Sequence, residues 1–232
     1  ASMAGINLGG AVSSTDKSKI AVEEMKSHKF FKDHLYEAVL PDLMAVESWE
    51  ASANKIVYNP ELYIESTGTW NREVGFPFQR KPSSQEAFDV FRNLYSVSQD
   101  KKTGFVTLRA RHLSPYVAES WLSMAITSIN RSTRMKEVKA AEESIAFLKD
   151  KISSTNLVSL SEVFAQLIEE QTKTIMLANV SEDYAFEVID PPIAPELKIE
   201  PSRSIICIII TLIGGFLSVA FVLLRHVFNL RL

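Results

Sequence analysis

SIICIIITLIGGFLSVAFVLL, residues 204–224, runs for twenty-one residues without a charged side chain. At about 1.5 Å of rise per residue, a helix of that length crosses a hydrocarbon core of about 30 Å. The run has no polar face and is framed by Arg203 and Arg225, so a membrane span over 203–225 is preferred to a buried core helix. Arg225, His226 and Arg231 follow the run, whereas Lys198 and Arg203 precede it among acidic neighbours. The positive-inside rule then puts the short tail 226–232 in the cytoplasm and the body on the opposite side. Exporting that body requires a signal ahead of Ala1, so the reading expects a further membrane segment upstream. Within the span, Gly214 and Ser218 make one small-x-x-x-small pair, and Thr211 and Gly215 make another one turn away. These four residues are the candidates for close helix packing, against the alternative that glycine is simply common in membrane helices.

Working back from the span, Pro191, Pro192, Pro195 and Pro201 crowd the approach. Fixed φ angles and missing amide donors predict an extended, stiff connector there, which with a short strand YAFEVID at 184–190 fills 182–202. Every Asp and Glu lies before Arg203, leaving 22 Lys and Arg against 28 Asp and Glu in the body, a net of about −6. Such a body repels phosphate backbones and shows no basic stripe interleaved with aromatics, so nucleic acid is not an expected partner. The one cysteine, Cys207, falls in the apolar run, and the body has no thiol for a disulfide or a Cys-type zinc site.

The body reads as α+β, with a membrane-proximal α/β base over 1–112, a protruding helical hairpin over 113–181 and the C-terminal span. The Gly- and Ser-rich opening is loop; Asp16 is the expected N-cap of a helix through Ala21, Met25, Phe30 and Phe31, restarted near Ser27 and ended by Pro41. Between Lys55 and Gly75, turn signals separate short β-rich runs. SSQEAFDVFRNLYSV, 83–97, predicts an amphipathic helix capped by Ser83 or Ser84, with Phe88, Phe91 and Leu94 on one face. DKKTG turns the chain into a strand, FVTLRAR. Pro115 opens the longest helical pattern, roughly 55 Å to Lys151. Ser153 to Asn156 interrupt it, and a second helix follows with Leu160, Phe164, Leu167, Gln171, Ile175 and Ala178 in register. Leu122, Ile129, Ile145, Leu148, Phe164 and Leu167 are the candidates for hairpin packing or oligomer contact. The polar middle NRSTRMKE, 130–137, interrupts the seam, which suggests an arm that finds partners, against the alternative of a helix lying flat on a sheet.

Catalysis is not expected. Glu23–Glu24, Glu142–Glu143 and Glu169–Glu170 lie in helical patterns, where neighbours point in different directions. His28 and His34 are six apart, and His112 and His226 are isolated, so no metal site is assembled. No phosphate-binding glycine loop and no nucleophile elbow occurs, so no cofactor and no catalytic residue is assigned.

Several passages resemble one family. The stretch from LIEEQ at 167 to Arg225, with prolines directly before a glycine-bearing membrane helix, looks like the end of Wzz-type polysaccharide chain-length determinants, the polysaccharide co-polymerases. AGINLGG at 4–10, DKKTGFVTLRARHLSP at 100–115 and YAFEVID are further matches, so the likeness runs through almost the whole chain. The resemblance implies two inner-membrane helices around a periplasmic α/β base with a helical arm, assembled as a ring-like homo-oligomer. Such an assembly sets the modal length of O-antigen or a related polysaccharide together with a membrane polymerase, and lipid-linked polysaccharide is a possible further partner. A kinase-free member is expected, with the first membrane helix lying before residue 1. The rival readings are a membrane-anchored periplasmic sensor or adaptor and a membrane-anchored glycan-processing enzyme.

Overall fold

The computed structural model describes residues 14–154, 157–181, 183–197 and 203–229. It divides into two compact units, Ala1–Ala194 and Pro195–Leu232. The architecture is mostly helical with a few small sheets, α+β only in a loose sense. Most of the Gly- and Ser-rich opening and Pro201 lie outside the described residues.

In the first unit, α1 (Ser14–Met25) begins before Asp16, so Asp16 sits inside the helix and is not its cap. An acidic residue in a first turn still complements the helix dipole, which is why the residue type misplaced the boundary. The restart at Ser27 is made by one hydroxyl, which donates to the Glu24 carbonyl at 2.7 Å and accepts from the Phe30 amide at 3.1 Å. Helix α2 (His28–Phe30) widens into a π-turn over Phe31–Leu35 and continues as α3 (Tyr36–Met44). Pro41 does not end this region: α3 passes through it. An internal proline costs about 3 kcal/mol. Phe30, Phe31, Leu35, Val39 and Leu40 are at most 1% exposed, and at about 1.5–3 kcal/mol for each buried side chain their packing outweighs the lost bond.

Among the described residues the strands form three separate antiparallel pairs rather than a base sheet. Strand β1 (Val46–Glu50), for which the sequence raised no expectation, pairs β2 (Lys55–Tyr58); β3 (Tyr63–Ile64) pairs β4 (Thr69–Trp70). Helix α4 (Ser84–Leu94) starts as expected, with the Ser83 hydroxyl accepting from the Glu86 amide at 3.2 Å. It stops at Leu94, short of the expected end, because Tyr95 and Val97 are buried while Ser96 and Ser98 are exposed, a period of two. Strand β5 (Tyr95–Gln99) pairs β6 (Val106–Ala110) from Tyr95↔Ala110 to Gln99↔Val106, around a turn at Gly104 with φ of +78°.

The core gathers α1 to α4, β5 and the foot of α5 (Pro115–Ser153): Trp121, Ala125 and Ile129 pack with Phe30, Phe31 and Phe91. The Phe91 ring stands 4.7 Å from both Phe31 and Tyr95 and 5.7 Å from Trp121. Helix α6 (Val158–Val180) returns along α5. In the second unit, α7 (Arg203–Asn229) is a 27-residue helix in which Cys207–Arg225 has a mean hydropathy of 2.7 and none of its surface buried.

Candidate functional site

The candidate surfaces are the hairpin, the connector and the apolar helix. On the hairpin, Ile129 is fully buried and Leu122 is half-buried, both in the core, so they hold the foot of α5 in place. Ile145, Leu148, Phe164 and Leu167 lie farther out on the faces that α5 and α6 turn to each other. Leu160, expected in the same seam, is 40% exposed. Ile129 is the last residue that α5 gives to the core, and from there to Ser153 the helix runs roughly 36 Å.

The polar middle of α5 makes contacts within the chain. Asn130 is buried, and its Oδ1 accepts from the amides of Ala185 at 2.9 Å and Phe186 at 2.8 Å. Its Nδ2 donates to the Phe186 carbonyl at 3.0 Å and to Asp183 Oδ1 at 3.4 Å. About two turns further, Glu137 takes the Lys17 ammonium at 2.7 Å and the Tyr184 hydroxyl. Burial first, then the Glu137 hydrogen bond and charge, push the Tyr184 phenol above its ordinary range. Glu24 of α1 accepts from Ser132 at 3.3 Å and from Lys136. The NRSTRMKE passage thus docks α1 and the segment after α6 onto α5. This accounts for the YAFEVID passage, which is not a strand: the Asn130 amide supplies the bonds that a ladder neighbour would have made. Asn130 was missed because a polar residue among polar neighbours, here Ser128, Arg131, Ser132 and Thr133, is read as solvated, and nothing local in the sequence singles it out.

Pro191, Pro192 and Pro195 lie in a stretch without helix or strand, which their missing donors favour. In α7, the Thr211 hydroxyl donates to the Cys207 carbonyl and the Ser218 hydroxyl to the Gly215 carbonyl, both at 2.8 Å. Both hydroxyls are therefore satisfied within the helix, as a lipid environment demands. Thr211, Gly214, Gly215 and Ser218 fall within one contiguous face, and a Cβ added at either glycine would meet nothing within 4 Å. The helix is long and apolar enough to anchor the chain in a membrane.

His112 is tied into packing, while the acidic pairs lie on helix surfaces. His112 Nδ1 accepts from the Ser114 amide at 3.0 Å, which leaves Nε2 as the donor to the Asp42 carbonyl at 3.0 Å. His28 contacts Ser84, and His34 lies against Phe30. Glu23, Glu143 and Glu169 pair with Lys26, Lys139 and Lys173 on helix surfaces. No group of three or more His, Cys, Asp and Glu side chains converges among the described residues.

No curated protein matches the chain. Residues 155–227, about a third of the chain and including the prolines and Gly214 and Gly215, match the family model GNVR, described as the G-rich domain on putative tyrosine kinase.

Proposed function

We propose that the chain regulates the modal length of O-antigen lipopolysaccharide or a related surface polysaccharide. In this reading it is a ring-like homo-oligomer of the bacterial inner membrane, with the bulk of the chain in the periplasm and the membrane-bound polymerase as its partner. The observation that carries the reading is the GNVR match over 155–227, which takes in α6, the proline-rich stretch and the glycine-bearing apolar helix in that order. That family is associated with polysaccharide co-polymerase and chain-length proteins. Length control then comes from the geometry of an assembly presented to polymerase and lipid-linked glycan, and this chain makes or breaks no bond and holds no cofactor. Self-association uses the outer faces of the hairpin and, in the bilayer, the Thr211, Gly214, Gly215 and Ser218 face. Deleting the gene and resolving surface polysaccharide on a gel tests the proposal. Loss of the modal band pattern is expected, and an unchanged distribution overturns it.

A further inference from the structure

Residues 73–81 form a loop whose stem is rigid and whose tip is apolar. At one end Arg72 is 9% exposed. Its guanidinium donates to both Glu86 carboxylate oxygens and to the carbonyls of Gln79 at 2.7 Å and Arg80 at 2.8 Å, so it closes the loop on itself. At the other end Pro82 is buried, and its carbonyl accepts from the Tyr36 hydroxyl at 2.5 Å. A turn from the Phe78 amide to the Gly75 carbonyl, 3.0 Å, shapes the tip. Against this fixed stem Val74 is 39% exposed, Phe78 55% and Phe76 100%.

We propose that this loop inserts its aromatic tip into the interfacial region of a lipid bilayer. The chain that carries it also carries α7, so a bilayer is present wherever the loop is at work. The size of the tip argues against a protein partner: two phenylalanines and a valine offer on the order of 400–500 Å², well short of the roughly 800 Å² that each side of a stable protein interface contributes. The shape agrees, because a fully exposed ring on a tight turn is a wedge and not a groove. Charge also agrees. Glu86 neutralises Arg72, Glu37 neutralises Lys81 through bonds of 2.8 and 2.9 Å, and the formal charges of Glu73 and Arg80 sum to zero. A neutral tip with aromatic rings and polar flanks suits the headgroup boundary and does not depend on anionic lipid. Holding the backbone in place beforehand lowers the entropy lost on insertion.

The inference rests on the membrane reading of α7 but not on length control, and one experiment separates the cases. The full chain is reconstituted in phosphatidylcholine vesicles with a nitroxide at one of three positions: native Cys207, Phe76→Cys or Lys101→Cys, the last two in a Cys207→Ser background. Collision with oxygen and with a water-soluble nickel complex reports depth. The label at 76 should favour oxygen over nickel by severalfold, as at 207, while the label at 101 favours nickel. A label at 76 that behaves like 101, or that is shielded from both reagents by protein, overturns the loop proposal while α7 stands. A label at 207 in water overturns the membrane reading and the loop proposal together.

Discussion

Replacing Asn130 with alanine removes three bonds of 2.8 to 3.0 Å to the backbone of Ala185 and Phe186, and leaves two amides and a carbonyl in a half-buried setting. At about 1 kcal/mol net for each bond, the 183–186 segment loses about 3 kcal/mol of its hold on α5. Since about 1.4 kcal/mol is a factor of ten in an equilibrium constant, its local opening should rise on the order of a hundredfold. Hydrogen exchange followed by mass spectrometry on the full chain reads this directly: peptides covering 183–190 lose protection, while those covering the core helix α4 change little. Unchanged exchange over 183–190 in Asn130→Ala would refute the claim that this one side chain stands in for a sheet neighbour.

Arg72→Met strands Glu86 and two carbonyls, and should lower stability by about 3–5 kcal/mol in chemical denaturation; Arg72→Lys should not rescue it, because an ammonium cannot span both carboxylate oxygens and the loop carbonyls. The Tyr95 hydroxyl is buried with no hydrogen-bond partner among the described residues. Tyr95→Phe should therefore leave stability unchanged or raise it by up to about 1 kcal/mol, and a loss of more than that contradicts the packing described. A Cβ added at Gly214 or Gly215 meets nothing within 4 Å among the described residues, so with leucine at both positions insertion and folding should be normal while the mass of the detergent-extracted assembly falls; survival of both assembly and modal length removes that helix face from the proposal.

The elements legible in the sequence were those whose signals are local. The apolar run at 204–224, the Ser83 cap, the turn before β6 and the Pro115 start each need only neighbours a few residues away. What escaped was decided by distant contacts. Pro41 is tolerated because the helix around it is buried by α4 and the core. Tyr95 to Gln99 leave the helical pattern because β6 pairs with them. Residues 184–190 alternate like a strand, yet the Ala185 and Phe186 amides and the Phe186 carbonyl meet Asn130, more than fifty residues away, and not a sheet. The same contact makes Asn130, at the start of the polar middle of α5, an internal joint. Of the candidate surfaces, the small-residue face and the prolines were visible as composition, whereas the exposed loop at Phe76 was not, since exposure of a phenylalanine is a tertiary property.

The account stands on self-association, and the mass of the particle in its own membrane tests it. Extracted with native lipid into polymer-bounded discs and weighed by mass photometry, the protein should appear as one discrete species at a multiple of the mass of its chain, which is 26.0 kDa over these 232 residues. A single-chain mass at the concentrations found in the cell would contradict it.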